Sequence, residues 1–156
     1  MPHKSSFLGP PVLKELGPTK ARKNDVIVLV TVGKEGRPGV CLLSPFQVIA
    51  SDRRTIHLAV YKGSRTDSNL SERGKATLAI FLPPAAYYVE GDVAKAGSLA
   101  SALPSGNVHY RFTVSGVFKD YYEKAPITSK VTFDETEILG DYRRVFSSLA
   151  EAAARS

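Results

Sequence analysis

The chain has no tryptophan and only one cysteine, and its three histidines stand far apart. A single cysteine excludes an internal disulfide. His3, His57 and His109 show none of the spacings of a metal-binding helix pair, and Cys41 has no partner, so no metal site is expected. Cys41 lies in the apolar run Val40-Cys41-Leu42-Leu43 with no histidine or helix start beside it to lower its pKa, and it reads as a buried, inert thiol. Long hydrophobic runs are missing too. Nothing approaches the roughly 18 consecutive apolar residues of a membrane span, and the first six residues lack the apolar stretch of a signal peptide. A soluble, cytoplasmic protein with no membrane partner is expected.

Acidic residues are outnumbered, 15 against 21 basic, for a net charge of +6. That excess attracts anions, whether nucleic acid or a phosphorylated ligand, or serves solubility alone. The basic cluster Lys20-Ala21-Arg22-Lys23 has no interleaved aromatics, so it reads as a solvated turn and nucleic acid is not the expected partner. With 43% hydrophobic and 23% charged residues over 156 positions, the composition suits one globular domain with a real core.

Residues 1–24 carry four prolines and scattered lysines and read as an arm holding at most a short helix near residues 12–16. The β-branched run 26–32 predicts a strand buried on both faces, followed by the turn-forming stretch 33–39. Further strands are predicted over 40–49, 55–61, 75–82, 87–95 and 109–119. The Gly-, Ser-, Ala- and Pro-rich stretch 96–107 predicts a surface excursion. Ser64 as cap, Asp67 three residues later and Gly74 as a left-handed stop predict a helix of about two turns. Ile138, Tyr142, Val145, Phe146 and Leu149 recur at spacings of three and four, so 137–153 predicts an amphipathic helix, with the acidic run 134–137 as its capping. Six strands with short links, one inserted helix and one closing helix predict a mainly β fold, a small barrel.

The segment 61–70 carries the most chemical information, because it sets Lys62 and Arg65 beside Ser64 and Thr66 where a strand turns into a helix. The first amides of a helix lack internal partners and carry the positive end of its dipole, and an arginine can fork onto phosphate oxygens. Two readings stand side by side: a phosphate site, or a capped helix with solvated cations.

The run Ser44-Pro45-Phe46-Gln47-Val48-Ile49-Ala50-Ser51-Asp52-Arg53-Arg54-Thr55-Ile56-His57-Leu58-Ala59-Val60, then Lys62-Gly63-Ser64-Arg65-Thr66 and Asn69-Leu70, resembles the FMN-binding split-barrel superfamily. That superfamily includes the flavin reductases and the pyridoxamine 5'-phosphate oxidases, and the hairpin around 28–38 resembles its oxidase-like branch. The resemblance covers residues 25–82 and implies a six-stranded split β-barrel domain over 25–156. It places Ser64, Arg65 and Thr66 at a flavin phosphate, Lys62 and Asn69 flanking it, and Ser44, Phe46 and Tyr61 near the ring or ribityl chain. It further implies a homodimer with the cofactor at the subunit interface. Without a tryptophan, and with a C-terminal stretch 142–146 unlike the oxidases' substrate segment, vitamin B6 oxidation is not implied.

The expectation is therefore an FMN-dependent oxidoreductase or flavin reductase-like protein acting on a small-molecule substrate, with NADH or NADPH as electron donor. FMN carries the chemistry and no side chain is required as a catalyst. A non-enzymatic flavin- or haem-binding module of the same fold is the alternative, and F420 is an alternative cofactor because it too joins a phosphate to a tricyclic ring.

Overall fold

The computed structural model describes residues 4–99 and 106–156. Its β-branched run after Asp25 forms β2 (Ile27–Val32), which pairs with β3 (Pro38–Leu43) across a one-turn 3-10 segment, Lys34–Gly36. The strand expected over 40–49 is broken in two. Ser44 caps a 3-10 turn, Pro45–Gln47, with its hydroxyl accepting from the Phe46 amide while Gln47 Oε1 accepts from the Ser44 amide. Pro45 has no N–H to give a ladder, so pairing resumes only at β4 (Val48–Ala50). There follow β5 (Thr55–Tyr61), α2 (Arg65–Arg73), β6 (Lys75–Leu82), β7 (Ala85–Leu99), β8 (Asn107–Asp120) and α3 (Leu139–Arg155). Before them stand a two-residue strand, β1 (Lys4–Ser5), and α1 (Pro10–Leu16).

One antiparallel sheet in the order β3-β2-β6-β7-β8-β5-β4, with β1 added on β8, curls into a half-barrel. The strands β7 and β8 run longer than composition predicts because they pair with each other from Ala86↔Asp120 to Leu99↔Asn107, with irregularities at Glu90/Gly91 and Lys95/Gly97. Ladder bonds thus override the Gly- and Ser-rich composition as far as Leu99. Residues 100–105 of the expected excursion lie outside the described residues.

Inside the curl, Leu29, Leu58, Leu78, Val89, Tyr110 and Phe112 are fully buried. Leu8, Val12 and Leu16, from the stretch that composition sets apart as an arm, belong to the same core at 1% exposure each. Arg22 pins this stretch down, its guanidinium donating to the carbonyls of Leu16, Gly17, Lys20, Pro45 and Val48 at 2.7–3.0 Å. Burial lowers its pKa to about 10, with Glu15 opposing. The basic cluster at 20–23 is therefore partly an internal staple and not a solvated turn. On the other face of β4 and β5, Ile49 and Ala59 pack beneath Val145 and Leu149 of α3.

Gly91 sets how closely β7 and β8 approach. A Cβ there would stand 2.3 Å from Phe112 Cε1 and 2.6 Å from the Thr113 carbonyl oxygen. Gly91→Ala should cost about 1–3 kcal/mol by overpacking, read as a melting temperature lowered by several degrees in a thermal denaturation scan.

Candidate functional site

The turn from β5 into α2 is built as its residues require. Ser64 takes extended backbone angles and its hydroxyl accepts from the Asp67 amide at 3.1 Å, while Gly74 closes the helix at φ 60° with its amide donating to the Leu70 carbonyl. The amides of Arg65 and Thr66 have no partner among the described hydrogen bonds, as expected for the first turn of a helix. Lys62 and Arg65 are exposed, and the Arg65 guanidinium reaches the Val40 carbonyl on the free edge of β3 at 3.4 Å. Thr66 is buried at 8% exposure. Asn69, at 5%, donates from Nδ2 to Thr31 Oγ1 at 3.0 Å.

A carboxylate shares this turn. Asp67 accepts from the Gly63 amide at 2.9 Å and from the Tyr110 hydroxyl, whose pKa is raised by burial and then by this contact. Its charge is thereby drawn inward onto two donors.

The residues expected at the ring are placed less uniformly. Tyr61 is 37% exposed, and burial followed by the neighbouring Tyr142 pushes its pKa up to about 12. Cys41 is near enough to Tyr61 to contribute to that shift, and it is half-buried at the β3 edge, not fully buried as its apolar run suggests. Ser44 is fully buried, its hydroxyl engaged in the cap described above. Phe46 is 6% exposed and stacks on Tyr142 of α3, with ring centroids 5.8 Å apart, and edge-on to Phe146. Within one chain, α3 stands between Phe46 and solvent.

Two features escape sequence reasoning. Asn107, opposite Tyr61 in the β5–β8 ladder and so on the same face, is 2% exposed, yet among the described residues neither its Nδ2 nor its Oδ1 has a hydrogen-bond partner. His57 and His109, 52 positions apart, meet because β5 pairs with β8: His57 Nδ1 lies 2.8 Å from His109 Nε2, and His57 Nε2 lies 3.0 Å from Ser51 Oγ. The bond between the rings needs one bare nitrogen, so it does not survive with both protonated. Only the strand register could have revealed either.

No protein-family model matches the chain. Over 131 residues, 82% of this chain and 84% of its relative, it is 27% identical to the uncharacterised protein YclD of Bacillus subtilis (strain 168). Among solved structures it is similar to HupZ of Group A Streptococcus at TM-score 0.57 and 12% identity, covering 78% of this chain and 100% of that one. A pyridoxamine 5'-phosphate oxidase candidate from Lactobacillus delbrueckii gives TM-score 0.56 at 13% identity, covering 73% and 95%. An F420 reductase gives 0.54 at 13%, covering 70% and 96%. The fold is the pyridoxamine 5'-phosphate oxidase-like split barrel. At such identities the likeness speaks for the fold alone, and chemistry has to be argued from the split barrel's own side chains. Among the described residues, no helix is long and apolar enough to cross a membrane, and no group of three or more His, Cys, Asp or Glu could hold a metal ion.

The histidine pair makes the split barrel sensitive to acid. Burial first, then His109 and Arg111, lower the His57 pKa to about 4, with Asp52 opposing, and burial, Arg111 and Arg155 lower that of His109. The unfolded chain, with histidines near 6.5, binds more protons than the folded one in this window. Stability from the pair is present above pH 6.5 and is lost as pH falls toward 4. Melting temperatures measured from pH 7.5 to 4.5 should fall, and His57→Gln should flatten that slope.

Proposed function

We propose that this split barrel binds a phosphorylated flavin, FMN, and serves as a flavin-dependent oxidoreductase or flavin reductase-like protein. The observation that carries the reading is the turn itself: two unpartnered helix amides flanked by the exposed Lys62 and Arg65, beside the free edge of β3. Oriented N–H groups and a forked guanidinium suit a phosphate dianion, and Ser64 and Thr66 line the same turn. The residues fit the other end of the cofactor as well. The buried, orphaned amide of Asn107 next to Tyr61 offers both a donor and an acceptor, the equipment that a ring edge of alternating N–H and C=O groups requires.

FMN, once bound, supplies the hydride or electron chemistry. The chain's residues bind and orient it. Lys62 and Arg65 neutralise the phosphate, and Asn69, tied to Thr31, fixes the helix that presents them. Tyr61, held protonated by its raised pKa, keeps a neutral hydroxyl at the ring end. Ser44 shapes the turn that carries Phe46, and Phe46 reaches a cofactor only where α3 gives way or a second copy completes the groove.

The partner in this reading is a second copy of the chain. The outward sides of β2 and β3 carry Val28, Val30, Val40 and Leu42, an apolar face on which Val40 is 56% and Leu42 54% exposed. The electron donor is NADH or NADPH and the substrate a small molecule. A haem-binding or F420-binding module on the same fold is the second reading, favoured by the same cationic turn.

Fluorescence titration with FMN tests the site. Arg65→Ala should weaken binding about tenfold to a hundredfold, the loss of roughly 1.5–3 kcal/mol from a charge-assisted hydrogen bond, while the melting temperature holds. Asn107→Leu should weaken flavin binding yet leave the fold as stable or more so, because it removes an unsatisfied buried amide. Unchanged affinity in both variants would sink the proposal. Light scattering should return about twice the chain mass of 16.9 kDa, and a monomer carrying bound flavin would remove the intersubunit site.

A further inference from the structure

Between α2 and the β2–β3 hairpin the chain encloses an open groove of about 430 Å³. Its walls carry Lys34 and Arg37 from the hairpin and Arg65 and Arg73 from the helix, against one acid, Glu72, which is already paired with Arg73 at 3.2 Å. Neither Lys34 nor Arg37 has an ion-pair partner among the described residues. Unpaired like charges facing one cavity repel each other, an arrangement that an anion relieves. The groove stays open because residue 39 is glycine: a Cβ there would stand 2.7 Å from Asn69 Nδ2 and 3.7 Å from Arg65 Nε.

Arg65 and Arg73 begin and end α2, which at 1.5 Å rise per residue separates them by about 12 Å along the helix axis. One phosphate at the β5 turn engages Arg65 and leaves Arg37 and Lys34 unmatched, with Arg73 shared between Glu72 and the groove. We propose that the groove is a second anionic subsite that takes a diphosphate, so that the ligand at this end of the molecule is a nucleotide-type cofactor or cosubstrate carrying two linked phosphates. Three of its four cations are arginines, whose planar forks bind phosphate oxygens in pairs. The subsite extends the flavin-phosphate reading through the shared Arg65, and it rests on that reading only for what lies beside it.

Calorimetric titration of the full chain with inorganic phosphate and with pyrophosphate tests this, alongside Arg37→Ala, an exposed substitution on the hairpin and outside the β5 turn. The parent should bind pyrophosphate at least tenfold more tightly than phosphate, and Arg37→Ala should erase that preference while FMN affinity changes less than twofold. Equal affinity for the two anions, or a preference untouched by Arg37→Ala, overturns the subsite. So does tight oligonucleotide binding with a steep logarithmic salt slope that Arg37→Ala abolishes, since the groove would then be a nucleic-acid footprint. Should the parent fail to bind FMN and still show the Arg37-dependent preference, the flavin reading falls and the subsite stands.

Discussion

A hydrogen bond of 3.0 Å between two buried side chains, Asn69 on α2 and Thr31 on β2, decides where the cationic turn points. A nine-residue helix is marginal by itself, so the direction of α2 comes from its seat on the sheet and not from helix propensity. Both partners are nearly out of contact with water, at 5% and 2% exposure, and each would be left unsatisfied without the other. The glycines at 33 and 39 permit the approach: a Cβ at 33 would stand 2.7 Å from the Arg37 carbonyl, and one at 39 as close to Asn69. Change the seat and Lys62, Arg65 and the helix amides turn together.

Around that seat, the charge excess is sorted by location. Arg22 is consumed by backbone carbonyls inside the molecule. Arg53 and Arg54 lie over the Phe7 ring, at 4.3 and 5.5 Å from its centroid, and hold the N-terminal stretch on the turn between β4 and β5. Lys62 and Arg65 at the start of α2 and Lys34 and Arg37 on the hairpin have no ion pair among the described residues, and the carboxylate of Asp67 beside them is drawn inward by Gly63 and Tyr110. These four cations stand where the first backbone amides of a helix already favour an anion.

The closing helix links the site to the second core. Its Val145 and Leu149 pack on Ile49 and Ala59, its Tyr142 and Phe146 cover Phe46, and the charge of Arg155 helps to lower the pKa of His109. The histidine pair sits on that same sheet face, beneath the layer that shields Phe46.

Local chemistry made much of this legible from the sequence. The β-branched runs at 27–32 and 55–61 became strands, and Ser64 and Gly74 bounded a helix, because those features depend on neighbours along the chain. The family order of strand, turn and helix likewise matched the observed split barrel. The break at Ser44–Gln47 was hidden because a capping box inside an apolar run reads as continuous strand until its hydrogen bonds are seen. Composition misjudged β7 and β8, whose lengths are set by each other. The His57–His109 contact, the orphaned Asn107 beside Tyr61 and the groove facing Arg37 with Arg73 join residues separated by tens of positions. Strand register and helix seating alone bring such residues together, since both are settled by burying one contiguous core and neither leaves a periodic trace in the sequence.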